Sequence, residues 1–156
     1  MENIHDLIFE LVHFHEDIVD QLKKIITKEN VKSTRFFGRT PLHDLLNCSF
    51  LLSNQERTVL SILIQHGADF MDRDEFGNTG YHYLARRGEF SFFDQKTVHL
   101  VNYNNETPLF FAVFAGQVNC VKELLELGAK LSHKDGNGKT IFDRKSEWGN
   151  EKWLED

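Results

Sequence analysis

Four threonines set the frame for this chain. Thr40, Thr79, Thr107 and Thr140 sit at the same place in Gly38-Arg39-Thr40-Pro41-Leu42-His43, Gly77-Asn78-Thr79-Gly80-Tyr81-His82, Asn105-Glu106-Thr107-Pro108-Leu109-Phe110 and Gly138-Lys139-Thr140-Ile141-Phe142-Asp143, spaced 39, 28 and 33 residues apart. Gly88, Gly116 and Gly149 each follow a threonine by nine residues. An apolar run closing in Gly-Ala occurs at Ile62 to Ala68 and again at Leu124 to Ala129. Self-similarity at a period between about 20 and 50 residues marks an array of small units, each able to bury its apolar face only against its neighbours.

These residues resemble the ankyrin repeat, a unit of about 33 residues whose T-P-L-H-x-A signature opens a β-turn followed by two helices. The resemblance covers nearly the whole chain and implies an all-α solenoid of stacked helix-turn-helix units with short β-turn or hairpin loops. Each marker then has a mechanical role. Threonine caps the first helix, proline fits its first turn, Gly88 and Gly116 permit the tight turn between helices, and Gly67 and Gly128 close the second helix. His43 and His82 fall on the signature's histidine, where the family uses the imidazole to tie neighbouring turns. A single domain is expected over 1–156: a degenerate N-terminal capping repeat at 1–34, a repeat with a lengthened turn at 35–73, a short irregular repeat at 74–101, a regular repeat at 102–134 and a truncated C-terminal capping repeat at 135–156.

The departures from regularity are specific. Thr40 to Gly67 spans 27 residues and Thr107 to Gly128 spans 21, so about six extra residues lie near Cys48 to Asn54 and lengthen the turn between two helices. The next unit has lost residues. Glu89 to Lys96 leaves room for only a short or irregular second helix before Val98, and Gly80 replaces the signature proline. Ile4, Leu7, Ile8, Leu11 and Val12 predict one amphipathic helix at the N-terminus, and Ile18, Val19, Leu22, Ile25 and Ile26 predict a second. The final unit has a first helix and then stops, as a truncated cap or because the chain continues.

Composition narrows the function classes. A net charge of −6 disfavours nucleic acid, whose affinity comes from Lys and Arg on the phosphates, and suits a basic partner. Cys48 and Cys120 are too few for a disulfide framework or a four-thiolate zinc site, which suits a reducing, cytoplasmic address. No run approaches the roughly 18 apolar residues of a membrane span, so no membrane insertion is expected.

Apparent chemical motifs reduce to turn and cap residues. The segment from His133 to Thr140 ends like a phosphate-binding loop, but His133 stands at its first glycine and no strand precedes it. Asp72 to Tyr83 lacks a calcium loop's ligands at Phe76 and Tyr83. His5, His13 and His15 suggest a metal, yet on a helix His13 and His15 point about 200° apart. Glu16 with Asp17, and Asp135 with Asp143, fit helix first-turn charge and turn chemistry. Residues 1–20 hold six acids and no Lys or Arg, whereas Lys23, Lys24, Lys28, Lys32, Arg35 and Arg39 follow, either a basic patch or, the favoured reading, lysines gathered toward a helix C-terminus by the macrodipole. No catalytic set, cofactor or metal is expected.

The ankyrin resemblance implies binding of another protein on the turn tips and on the concave face made by the first helices. Counting four, seven and eight residues from the first three threonines gives Asp44, Asn47, Cys48, Tyr83, Arg86, Arg87, Phe111, Phe114 and Ala115 for the concave face. The tips supply Phe36, Phe37, Asp74, Glu75, Phe76, Tyr103 and Asn104, an aromatic and acidic strip suited to an Arg- or Lys-rich segment. A competing reading folds the concave rings back into the core of an irregular repeat. The function expected is that of a monomeric, non-catalytic docking module. It looks like the stand-alone ankyrin proteins of viruses and intracellular bacteria that act in the host cytoplasm or nucleus on signalling or transcription factors, in the manner of κB inhibitors. The alternative is a recruiting domain of a larger enzyme that continues beyond Asp156.

Overall fold

The N-terminal apolar stripe winds into α1 (Ile4–Phe14), whose Ile4, Leu7, Ile8, Leu11 and Val12 are all buried. The structure is a computed structural model; it describes residues 3–14, 19–47 and 51–148, and within them all side chains but those of 13, 14 and 145–148. The remaining α-helices are α2 (Val19–Ile25), α3 (Pro41–Leu46), α4 (Asn54–Gln65), α5 (Gly80–Arg87), α6 (Pro108–Phe114), α7 (Val118–Glu126) and α8 (Ile141–Trp148), and no strand occurs among the described residues. His15, Glu16, Asp17, Ile18, Cys48, Gly149 and the end of the final unit lie outside the described residues, as does the side chain of His13.

Two layers result. The first helices pack in the order α1, α3, α5, α6; α2 lies on α1 and α4, α4 also on α3, and α7 on α6. Each threonine of the register stands just before a first helix, with Thr40, Thr79 and Thr107 in extended backbone, and Pro41 and Pro108 open α3 and α6. Gly88 (φ 83°) and Gly116 (φ 70°) end α5 and α6 in the left-handed region. The all-helical architecture expected from the repeat register is therefore the architecture found.

The irregularities have physical reasons. α3 and α4 are separated by 47–53, against 115–117 between α6 and α7. After α5 no second α-helix forms, and a single 3-10 turn at Thr97–His99 packs on α6 instead. Aromatic rings fill the space: Phe70 lies 5.5 Å from Tyr81 and 5.6 Å from Phe92, and Tyr81 lies 5.4 Å from Phe93. Phe93 packs against both halves of the core, the one running from Ile4 to Leu84 and the one from Ala85 to Ile141. Gly80 is part of this arrangement. Its N–H donates to the Phe70 carbonyl at 2.8 Å, and a Cβ would come within 2.7 Å of the Phe70 ring. Proline would lose that bond and collide, which explains the broken signature.

Candidate protein-binding surface

The hairpin tips are held in a row by backbone. The Glu75 N–H donates to Phe37 O at 2.8 Å, Tyr103 N–H to Phe76 O at 3.0 Å, and Gly136 N–H to Asn104 O at 2.6 Å. Within each tip a buried side chain organises the turn. Asp74 Oδ1 accepts from the N–H groups of Phe76 (2.9 Å) and Asn78 (2.8 Å); Asn102 Oδ1 does the same for Asn104 and Glu106, and Asp135 Oδ1 for Asn137 and Lys139. These three residues precede Thr79, Thr107 and Thr140 by a constant five positions, a register marker that threonine and glycine counting passed over.

The histidines tie one unit to the next, as the resemblance implied. His43 Nδ1 accepts from the Thr40 N–H (3.1 Å), so its Nε2–H donates to the Asp72 carbonyl (3.1 Å); His82 repeats this with Thr79 (3.1 Å) and the Glu106 carbonyl (3.0 Å). Burial lowers the pKa of both, that of His82 to about 4. Phe110 stands at the equivalent place in the next unit.

On this frame the tips expose aromatic rings: Phe36 is 76% exposed, Phe37 51%, Phe76 52% and Tyr103 72%. Phe37 and Phe76 lie 5.7 Å apart. Tyr103 is seated on Gly77, where a Cβ would meet its ring at 2.5 Å and its backbone nitrogen at 2.7 Å. We expect Gly77→Ala to destabilise the protein by about 1–2 kcal/mol more than Gly116→Ala. Both glycines have positive φ, but a Cβ on Gly116 meets nothing within 4 Å. Urea unfolding of both variants measures the difference, and equal losses would mean that Tyr103 does not rest there.

The concave face is lined less evenly. Phe114 is 64% exposed, and Phe111 is half-buried with its ring edge-on to His82 at 5.1 Å; with Phe110 and Glu106 they line a groove of about 210 Å³. Ala115 is half-buried beside them. Asn47 and Arg86 are also half-buried, joined by an Arg86 Nη1–H bond to Asn47 Oδ1 at 3.2 Å. Phe9, Arg35, Phe36, Phe37, Asp44 and Asn47 line a second groove of about 260 Å³. Between these, Glu75, Phe76, Tyr103, Asn104, Glu106 and Phe111 line an open groove of about 500 Å³. Asn104 is half-buried.

Three expected surface residues are not on the surface. Tyr83 is 3% exposed; its Oη–H donates to Asp74 Oδ2 at 2.7 Å and its ring lies edge-on to His43 at 5.5 Å. Burial and the neighbouring Asp74 carboxylate push its pKa up to about 12. Asp74 is itself buried as the organiser of its turn. Arg87 is 1% exposed, donating from Nη1 to the Leu45 carbonyl (2.9 Å) and from Nη2 to Glu56 (2.9 Å). Offset counting fixes where a side chain leaves its helix and not what covers it. α5 lies between α3 and α6, and the long α3–α4 connection ends in the Glu56 cap that receives Arg87.

Reactive-looking groups are engaged structurally. His5 Nδ1 lies 2.7 Å from Asp44 Oδ2, and its Nε2 lies 3.2 Å from Ser33 Oγ. This Ser-His-Asp chain escaped notice in the sequence because its members are distant along it. The Ser33 hydroxyl donates to the Asn30 carbonyl at 2.6 Å, so its proton is not presented to His5 and no nucleophile results. The chain instead pins α1 to α3. With both ring nitrogens occupied, His5 has none for a metal, and no group of metal-binding side chains occurs among the described residues. The amides of Asn137 and Lys139 that would cradle a phosphate are turned onto Asp135. Cys120 is buried, its pKa raised to about 12 by that burial, which keeps it a thiol. No helix among the described residues is long and apolar enough to cross a membrane.

Comparison with known proteins agrees with this architecture. A family model for ankyrin repeats (3 copies) matches residues 7–135. Ankyrin repeat protein nuc-2 of Neurospora crassa is 29% identical over 79 residues, covering 47% of this chain and 7% of that protein. Tyrosine-protein kinase HTK16 of Hydra vulgaris is 27% identical over 138 residues, covering 81% of this chain and 17% of that protein. The chain thus spans less than a fifth of either relative. With the repeat register, the histidine ties and the family match in agreement, the chain belongs to the ankyrin-repeat family, whose stacked hairpins serve as protein–protein interaction modules.

Proposed function

We propose that the chain is a non-catalytic, monomeric docking module that holds a protein partner along its concave groove and across its hairpin tips. The observation that carries this reading is the set of exposed rings, Phe76 and Tyr103 on tips tied together by backbone hydrogen bonds and Phe114 at the end of α6. Exposed aromatic side chains on a rigid frame form a contact surface with little left to order on binding. Phe111→Ala/Phe114→Ala tests it: capture of partners from cell lysate on immobilised protein is expected to fall at least about tenfold, the range of an interface hot spot. Undiminished recovery of every partner would remove the concave face from the proposal.

The narrower form of the proposal places the module in a host cytoplasm or nucleus, acting on a transcription factor in the manner of a κB inhibitor. The irregular repeats support it, and direct binding to purified Rel-homology domains decides it. Part of the similarity supports a second reading, in which these repeats recruit substrates for a longer enzyme, because the Hydra relative is by name a kinase and exceeds this chain in length. The mass of the protein isolated from its native source separates the two.

A further inference from the structure

We infer that the groove between the second and third tips is a cation site, which receives an arginine or lysine side chain from an extended basic segment of the partner protein. The inference rests on the docking reading and specifies its chemistry. Phe76, Tyr103 and Phe111 line it with aromatic rings, and Glu75 and Glu106 line the same opening with carboxyl side chains. Glu106 is set in place from beneath: the Asn102 side-chain amide donates to its Oε2 at 2.8 Å and to Asn78 Oδ1 at 2.9 Å. Its Oε1 lies 4.0 Å from Arg144 Nη2, at the outer limit of an ion pair, and Arg144 is anchored on Asp135, to which its Nε–H donates at 2.6 Å. Glu75 is exposed and makes no ion pair among the described residues. Ring faces and carboxylates together attract a cation that keeps part of its hydration, and both terms favour a basic side chain over a neutral one.

The first tip shows the same preference already satisfied within the chain. The Arg35 guanidinium lies 5.6 Å over the Phe36 ring and that of Arg39 5.4 Å over Phe37. No cation of the chain lies over Phe76 or Tyr103 among the described residues, so those faces remain for an incoming one. The tip strip therefore divides into a first tip whose rings carry the chain's own guanidinium groups and a second and third whose rings do not; Arg73, between the latter two, is engaged on the Gly77 and Val101 carbonyls at 2.7 and 2.8 Å, and the Glu75 carboxylate is the charge that steers a basic segment there.

Fluorescence anisotropy with the full chain and a fluorescein-labelled (Gly-Arg)4 peptide tests this. Glu75→Gln/Glu106→Gln, in which the glutamine at 106 can still accept from Asn102, is expected to weaken binding at least about fivefold, and Tyr103→Ala about tenfold. Glu123→Gln/Glu126→Gln on α7 removes the same charge from another helix and is expected to change binding by less than about twofold. Urea unfolding confirms that each variant is folded. Equal losses in the two double variants, absence of peptide binding to the unmodified chain, or binding of (Gly-Glu)4 as tight as that of (Gly-Arg)4 would overturn the inference. If Phe111→Ala/Phe114→Ala abolishes partner capture while the groove variants leave the peptide bound, the docking face stands and the cation site falls.

Discussion

Replacing Glu56 by alanine is expected to destabilise the protein by about 3–5 kcal/mol, the largest loss we predict for any single side chain. Glu56 holds two structures at once. Its Oε2 accepts from the Ser53 N–H at 2.7 Å, closing a capping box with the Glu56 N–H donating to Ser53 Oγ at 3.2 Å, while Oε1 receives Arg87 at 2.9 Å. The pair is nearly inaccessible, with side-chain exposures of 4% and 1%. Removing the carboxylate leaves the buried Arg87 guanidinium without its counter-charge, held only by the Leu45 carbonyl. Loss of the cap adds about 1 kcal/mol. The urea midpoint is expected to fall with little change in slope. Arg87→Met combined with Glu56→Leu should recover much of the loss, because no buried charge then remains unpaired. A loss below about 1 kcal/mol in Glu56→Ala would show that water reaches the pair.

The residues that were legible in the sequence are those whose role depends on near neighbours. Thr40 and Thr79 close capping boxes with His43 and His82, Thr107 stands at the same N-cap position, and Pro41 and Pro108 start helices, all within one turn, so the register recurs along the chain. The long α3–α4 link followed from counting residues between such markers; after α5 the count allowed a short or irregular second helix, and only a 3-10 turn at Thr97–His99 forms. What could not be read is what the irregular segments fold against. Arg87 meets Glu56 across 31 positions, and Glu89 accepts from Arg57 across 32 and from the Leu52 N–H across 37. No repeat period relates these residues, because the extra loop exists in only one unit. Tyr83 and Phe111 share an offset from their threonines and both lie edge-on to the preceding unit's histidine, yet the Tyr83 hydroxyl is drawn onto buried Asp74 while Phe111 opens on a groove. The tip rings behave differently: Phe36, Phe37, Phe76 and Tyr103 stand at turn apices, where exposure follows from local geometry.

Stability is expected to fall by about 3 kcal/mol between pH 6.5 and pH 4 through His82, in addition to whatever the carboxylates contribute. Burial holds the folded His82 at a pKa of about 4, against 6.5 for a free imidazole. Over that interval the unfolded chain binds a proton that the folded chain does not, so stability is complete above pH 6.5 and is lost as pH falls toward 4. The geometry gives the same sign. Nδ1 accepts from the Thr79 N–H while Nε2–H donates to Glu106, and a second proton on Nδ1 would turn the first bond into a clash of donors. His43, lowered in the same direction by its burial, adds to the slope. The unit at 102–134 carries Phe110, buried and without a titrating group, at the equivalent position, which makes His82→Phe the natural comparison. At pH 7.5 the variant should be about 1–3 kcal/mol less stable, since Thr79 and Glu106 lose a partner. Between pH 6.5 and pH 4 its urea midpoint should decline less steeply than that of the unmodified chain, the carboxylate contribution being common to both. Parallel pH profiles would mean that His82 takes up its second proton as readily in the fold as in the unfolded chain, and that the tie between the units at 74–101 and 102–134 is not the neutral one described by these hydrogen bonds.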